Sequence, residues 1–334
     1  MPEFIATFTT GFGEYIQKQI AKDMAGIKVV GLYDGLIHFK YNGDYSKLIK
    51  LIYLNNIFYV LKTFRGKNIS FEQMTNVVCK KKESLLVTKG SFRIRFSREN
   101  QFTKVDKSIT IKAENHILKE SNLKINRVNP STEIWYIIRT ERVGFYGQLL
   151  FKRKMTEKDL NKGELRPEFA YLMCLCGNIA KMDVVCDPFC GYGSIPQQLV
   201  KMFSPKKVIA TDLDEKKIIT LKKKMHSRKT EIMCYSSNIF NLSCVENESV
   251  DKIVTDPPWG YYEEIEDIEQ FYQNMIVEFK RISKENTTMV VLSARKQEFI
   301  SACSKSGLII EKQIDTLVNG KKASVFIVRK ALLI

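Results

Sequence analysis

From about residue 162 onward one pattern repeats: a short apolar run that ends in a polar residue, then an amphipathic stretch. The runs are DVVCD (183–187), KVIATD (207–212), SVDKIVTD (249–256) and TTMVVLS (287–293). Apolar strands alternating with helices predict an open, mainly parallel sheet covered on both faces, because crossover helices must bury each side of it. The last segment reads LIIEKQIDTLV, Asn319-Gly320, KKASVFIVRK, two strands joined by the strongest short hairpin signal, so the final strand runs backwards. The expected fold class is therefore α/β, Rossmann-like, with an antiparallel last strand. In such sheets ligands sit at the carboxyl ends of the strands.

The first 155 residues have a different grain. An apolar run at 4–8, a Gly11, Gly13 turn, an amphipathic stretch from Glu14 to Met24, two strands around Asp34-Gly35 and helical spacing over 45–63 predict a small α+β domain over 1–62. A second α+β domain, 63–158, is expected from strands at 91–96 and 133–140, a helix over 107–120 and a strand pair around Gly144 and Gly147. The Rossmann-like domain then spans 159–334.

Charge is segregated along the same division. Residues 1–155 hold 27 Lys and Arg against 13 Asp and Glu, whereas 156–334 hold 26 against 24, so the first half carries nearly all of the net +16. Such an excess is the footprint of a module that neutralises phosphates. Lys80, Lys81, Lys82, Arg93, Arg95 and Arg98 are the candidate nucleic-acid-binding residues, interleaved with Phe92, Phe96 and Phe102. Alternation in SFRIRF sends Phe92, Ile94 and Phe96 to one face and Arg93 and Arg95 to the other. The eight cysteines fall mostly inside apolar runs, which suits reduced buried thiols, and no metal site is expected. No run reaches the roughly 20 apolar residues of a membrane span and the start lacks a secretory pattern, so the expected home is the cytoplasm, away from membranes.

In DVVCDPFCGYGSIPQQLV, Asp187 closes a strand, and Gly191 and Gly193 shape the loop into a helix, where backbone can approach a ligand. A dinucleotide fingerprint would need a third glycine. An acid ahead of the loop repels pyrophosphate but suits the ammonium of a methionine moiety. Asp212, about twenty residues on at the end of the next strand, can accept two ribose hydroxyls, and Leu213 can pack on adenine. Asn238 closes the third strand, where it serves either an adenine edge or a turn.

The fourth strand leads into Asp256-Pro257-Pro258-Trp259-Gly260. An amino group conjugated to a base ring is a poor nucleophile because its lone pair is delocalised. Asp256 and the Pro257 carbonyl can each accept one of its hydrogens, and Trp259 can stack on an extruded base.

These motifs resemble those of the class I amino-methyltransferases that carry a D/N-P-P-aromatic sequence, and more narrowly the THUMP-domain RNA guanine-N2 methyltransferases. DPFCGYGSI and TDPPWG carry the likeness most specifically. FIATFTTGFGEYIQKQI resembles that family's ferredoxin-like opening, SFRIRFSREN through EIWYIIRTERVGFYGQLL its THUMP domain, and GELRPEFAYLMCLCG the segment leading into catalysis. The resemblance implies S-adenosyl-L-methionine as cofactor, with Asp187, Gly191 and Gly193 at the methionine part, Arg166 at its carboxylate, Asp212 at the ribose, Asn238 at the adenine, and Asp256, Pro257, Pro258 and Trp259 at the target base. Asp256 thus borders both cofactor and base. It also implies a structured RNA partner, transfer RNA first, held by the THUMP domain at its acceptor end, with a small activating protein as an open addition. Tyr192 departs from the small residue usual in relatives, and Asn238 from the Asp of many. Ribosomal RNA guanine-N2 methylation, DNA adenine-N6 or cytosine-N4 methylation, and an inactive RNA-binding protein remain the alternatives.

Overall fold

The computed structural model describes residues 1–82, 84–154, 160–161, 163–261 and 265–331. The chain divides into two compact units, Met1–Phe8 with Ile16–Lys154, and Thr9–Tyr15 with Met155–Ile334.

The first unit is built on strands β1 (Glu3–Thr7), β2 (Lys28–Tyr33), β3 (Leu36–Lys40), β4 (Asn56–Arg65), β5 (Lys89–Arg98), β6 (Gln101–Phe102), β7 (Asn122–Ile125), β8 (Thr132–Ile138) and β9 (Val143–Lys152). Among the described residues these make one sheet in the order β2-β3-β1-β4-β9-β8-β5-β6, with β7 beside β5. Its helices are α1 (Gly13–Asp23), which begins in the second unit's segment, α2 (Ser46–Ile49), α3 (Phe71–Val78) and α4 (Lys107–Glu120). Helix α3 opens with a full capping box, Ser70 and Gln73 each accepting the other's backbone N–H. Helices α3 and α4 bury Met74, Val78, Ala113 and Ile117 against Phe92, Phe96, Ile134 and Tyr136 of the sheet.

Two expectations fail here. Helical spacing over 45–63 yields only the four residues of α2, and 56–65 is instead β4, a central strand paired with β1 on one side and β9 on the other. NIFYVLKTFR is rich in β-branched and aromatic residues, and burial between two neighbours overrides a short helical period. The expected 62/63 boundary accordingly falls inside this strand, and the 158/159 boundary lies outside the described residues. Gly144 and Gly147, expected to mark a strand pair, both lie within β9; a side chain at Gly147 would come within 2.5 Å of the Tyr59 carbonyl of β4.

The second unit holds α5 (Pro167–Cys176), β10 (Val184–Asp187), α6 (Ser194–Gln198) continuing into one π-helical turn (Leu199–Phe203), β11 (Lys207–Asp212), α7 (Glu215–Lys224), β12 (Glu231–Ser236), β13 (Val250–Thr255), α8 (Ile268–Ile282), β14 (Ser283–Ser293), α9 (Lys296–Lys305), β15 (Leu308–Val318) and β16 (Lys321–Lys330). Strand order is β12-β11-β10-β13-β14-β16-β15, parallel except for β16, which inserts antiparallel between β14 and β15. This is the Rossmann-like sheet with an antiparallel last strand expected from the sequence. Asn319 and Gly320 both take positive φ, 52° and 76°, as the tight hairpin requires. Helices α8 and α9 cover one face through Tyr272, Met275, Phe279 and Phe299, packed on Ile253, Met289 and Phe326; α7 covers the other through Ile218 and Leu221, packed on Ala210.

The segment Thr9–Tyr15 packs within this unit. Gly11 sits at φ +89°, so close to β15 that a Cβ would lie 2.3 Å from the Asp315 carbonyl, Thr316 donates to the Thr10 carbonyl at 2.9 Å, and the Phe12 ring meets Phe169 edge-on. No helix among the described residues is long and apolar enough to cross a membrane.

Candidate active site

Because β11, β10 and β13 are adjacent and parallel, their carboxyl ends deliver Asp187, Asp212 and Asp256 to one edge of the sheet. The order reverses between β10 and β13, the switch point where a crevice opens in sheets of this kind.

Asp187 is buried, and its Oδ1 accepts hydrogen bonds from Thr255 Oγ1 at 2.8 Å and from the Phe189 amide at 3.3 Å. Burial pushes its carboxyl up to about 7, and the nearby negative charge of Asp212 adds to the rise against those two hydrogen bonds. A cation at this position would therefore be strongly favoured.

Gly191 and Gly193 adopt φ +51° and +92°. At Gly193 a Cβ would collide with Leu221 Cδ1 at 2.1 Å, whereas at Gly191 it would meet nothing within 4 Å. One glycine is thus required by packing, and the other keeps the loop's outer side open. Asp212 ties the loop down: its Oδ2 accepts the Gly191 amide at 2.9 Å and its Oδ1 the Asp214 amide at 3.0 Å, with Lys217 Nζ at 3.8 Å. A carboxylate offers about four acceptor sites, so these contacts leave capacity for a sugar hydroxyl. Leu213 beside it is 74% exposed, an apolar surface with nothing packed on it.

Asn238 stands two residues past the end of β12, exposed, with its Oδ1 accepting the Phe240 amide at 3.0 Å. Its carbonyl oxygen thus closes a turn, the second of the two roles its position suggested. Arg166 precedes Pro167 at the start of α5 and forms an ion pair with the buried Glu168, while its Nε is shielded without a hydrogen-bond partner.

Asp256 follows β13 directly. Its residue is half-buried, but its Oδ1 is fully shielded and has no hydrogen-bond partner. Burial first, and then the charge of Asp187, push this carboxyl well above the usual carboxylate range. The Trp259 indole N–H beside it pulls the other way, yet Nε1 and Oδ1 complete no bond of ordinary geometry and Nε1 is likewise orphaned. Buried polar atoms left open in this way cost stability unless a ligand completes them.

The rest of the loop is braced by residues that sequence reading missed. Tyr272 Oη donates to the Pro258 carbonyl at 3.1 Å and lies 3.0 Å from Ser293 Oγ; Arg295 Nε donates to the Trp259 carbonyl at 2.9 Å. Tyr272 is on α8 and Ser293 closes β14, so the brace comes from elements over thirty residues apart in places, with no local motif to reveal it.

In the first unit the basic candidates part company. Lys80, Lys81 and Lys82 follow the end of α3 and are exposed, as is Arg98, which lies over the Phe71 ring. Arg95 is half-buried and stacks on the exposed Phe102 at 5.0 Å. Arg93 is committed to structure: its Nε donates to Glu133 at 2.7 Å and its Nη1 to the carbonyls of Arg127 and Val128. Phe92 and Phe96 are buried on the opposite face, as alternation predicts. The eight cysteines are all free thiols, and no group of three metal-ligating side chains occurs among the described residues.

Residues 197–323 match the family UPF0020: RMKL-like, methyltransferase domain. That span contains Asp212, Asn238 and the Asp256 loop. The matched segment is the methyltransferase domain of that family, and the fold is that of the class I, S-adenosylmethionine-dependent methyltransferases. TrmN from Thermus thermophilus superposes along the whole chain, with a TM-score of 0.82 at 17% identity over 99% of this chain and 100% of that one. SMU.472, complexed with S-adenosylhomocysteine, gives 0.69 at 14% over 100% and 99%. A protein described as a predicted N6-adenine-specific DNA methylase from Listeria monocytogenes gives 0.71 at 13% over 99% and 96%. No curated protein matches the sequence.

The site's chemistry fits that cofactor: an open glycine loop, a buried carboxylate suited to an ammonium, and an uncovered Leu213 beside Asp212.

Proposed function

We propose that the enzyme methylates the exocyclic N2 of guanosine in transfer RNA, with the basic N-terminal half binding the RNA in the manner of a THUMP module and the reaction taking place in the cytoplasm. The observation that carries this reading is the orphaned pair at the mouth of β13, Asp256 Oδ1 and Trp259 Nε1. An incoming amino group supplies the donor the carboxylate lacks.

The bound cofactor supplies an electrophilic methyl group on sulfonium. Asp187 holds its ammonium and Asp212 its ribose, while Arg166 serves the carboxylate with the shielded Nε left beside Glu168. Asp256 accepts one hydrogen of the guanine N2 amine and the Pro257 carbonyl the other, which draws the nitrogen lone pair out of the ring. Pro258 is not available for this role because Tyr272 occupies its carbonyl. Asp256 also stabilises the positive charge that develops on nitrogen as the bond to carbon forms, then holds the proton that is released. Trp259 stacks on the base.

The excess of 27 basic over 13 acidic residues in the first 155 supports a nucleic-acid substrate through its phosphates, and the THUMP-like pattern of that half is what favours RNA. Mass spectrometry of nucleosides from transfer RNA incubated with enzyme and isotopically labelled cofactor tests the reading. Label in N2-methylguanosine is the expected result; label only in N6-methyladenosine, or only in DNA, would replace it.

A further inference from the structure

The loop that presents Asp256 and Trp259 contains two consecutive prolines, so neither Pro257 nor Pro258 has an N–H with which to fix the backbone. Carbonyls are the handles that remain, and two of them are taken. The Pro258 carbonyl accepts from Tyr272 Oη at 3.1 Å and the Trp259 carbonyl from Arg295 Nε at 2.9 Å. Tyr272 Oη is also 3.0 Å from Ser293 Oγ, which in turn accepts the Arg295 amide at 2.9 Å.

The direction of every link follows from the count of protons. A carbonyl cannot donate, so the single proton of Tyr272 is committed to Pro258, and the proton between the two hydroxyls belongs to Ser293. Ser293 can give it because its own oxygen is the acceptor for the Arg295 amide. One chain therefore runs from the Arg295 N–H through Ser293 and Tyr272 to the Pro258 carbonyl, and the side chain of the same arginine closes on the next carbonyl. Both hydroxyl residues are fully buried, where hydrogen bonds in a chain orient one another. Burial above all, with the charges of Asp256 and Glu298 adding to it, raises the Tyr272 hydroxyl above its ordinary value and keeps it a donor.

We propose that Arg295, Ser293 and Tyr272 form a positioning relay that holds the Pro258 and Trp259 carbonyls against the protein and so reserves the Pro257 carbonyl, with Asp256, for the target amine. This rests on the amine-methylation reading above and adds the residues that set its geometry. The amine needs both acceptors at once, and the backbone between them decides whether they meet it. Each proline ring holds φ, which leaves ψ as the free torsion, and a held carbonyl fixes that torsion at Pro258. Tyr272 supplies the hold, Ser293 aligns the Tyr272 hydroxyl by donating to it, and Arg295 anchors both ends. All three are positioning residues; none touches the reacting atoms.

Tyr272→Phe keeps the ring and removes one oxygen. In single-turnover methylation of transfer RNA with both sites saturated, it is expected to slow transfer about 30-fold, since misplacing a reacting group by about 1 Å costs up to about a hundredfold. Affinities for S-adenosylhomocysteine and for RNA stay within about twofold of the wild type. Ser293→Ala is expected to slow transfer about tenfold, and the double variant only about 30-fold, because Ser293 acts through Tyr272. The control is Thr287→Val, which removes another buried hydroxyl of β14, one that donates to the Val250 carbonyl at 2.7 Å. It is expected to lower the melting temperature without slowing transfer. Trp259 gives a readout that needs no substrate, because a Trp135→Phe background leaves it as the one tryptophan of the chain. In that background Tyr272→Phe is expected to raise acrylamide quenching of Trp259 about twofold, and Thr287→Val to leave it unchanged. A wild-type rate and wild-type quenching for Tyr272→Phe, or a double variant slowed about 300-fold as independent effects require, overturns the relay. Label on a base amine other than guanosine N2 keeps the relay and removes the guanosine reading. Asp256→Asn transferring at the wild-type rate removes the amine reading, while the quenching still decides the hold on the loop, so the two claims fail separately.

Discussion

In the C-terminal unit the residues that carry chemistry are held by the ends of parallel strands, whereas in the N-terminal unit the basic residues are spread along β5 and past the end of α3. Asp187, Asp212 and Asp256 converge because adjacent strands must deliver their carboxyl ends together. Nothing comparable organises Lys80, Arg93 and Arg98. There the fold consumes some charges for its own stability, as it does Arg93 on Glu133, and leaves others in solvent. A site fixed by topology is sensitive to single residues; a surface defined by accumulated charge is not.

The sharpest form of that contrast is Asp256→Asn. Shape and one acceptor survive while the negative charge that favours the developing ammonium is lost, so turnover should fall roughly 10²–10³-fold with cofactor and RNA affinities nearly unchanged. Comparable loss from any single lysine of the N-terminal unit would erase the contrast.

Asp212→Ala comes next. It removes both the sugar contact and the tie to the Gly191 amide, and charge-assisted hydrogen bonds contribute about 1.5–3 kcal/mol each, so cofactor affinity should drop at least tenfold in a folded protein. Calorimetry showing wild-type affinity would move the ribose site elsewhere.

Smaller again is the response to pH. Asp187 is protonated in the free protein below about 7. Binding a cation favours its ionised form, so the bound-state value is lower and cofactor binding expels a proton. Affinity should therefore rise with pH by up to about tenfold per unit below 7, then level off above it. Calorimetry in buffers of different ionisation enthalpy reads the proton directly; proton uptake on binding would contradict the assignment. The same burial works against folding stability as pH rises through 7, since the unfolded carboxyl is already ionised there.

The smallest expected effects separate two arginines of the N-terminal unit. Arg98→Ala should weaken RNA binding about threefold, with unchanged melting temperature. Arg93→Ala should instead lower the melting temperature, because it takes from the buried Glu133 its closest cation and leaves it the Trp135 indole N–H at 2.8 Å and Arg95 at 4.0 Å; the loss is at most about 3–5 kcal/mol, the range for a buried pair broken from one side. A stable Arg93→Ala protein that had lost RNA binding would return Arg93 to the phosphate surface.

The same contrast governs what could be read in advance. Strands β11, β15 and β16 and helix α4 match their expected limits, because each presents an unbroken period bounded by turn residues. Strand β4 has the local spacing of a helix, and its placement between β1 and β9 is decided by pairings with distant residues rather than by that spacing. Aspartates at strand ends were visible for the reason that made them cluster. The Tyr272, Ser293 and Arg295 brace, and the packing of Gly11 on β15, arise from tertiary contacts for which no local signal exists.

The central claim is that Asp256 activates the target amine. Single-turnover methylation of transfer RNA by Asp256→Ala, at cofactor and RNA concentrations shown by equilibrium binding to saturate both sites, tests it most directly. The account predicts a rate below that of Asp256→Asn, with both sites still filled. A rate near that of the wild type would contradict it and remove this loop from the catalytic centre.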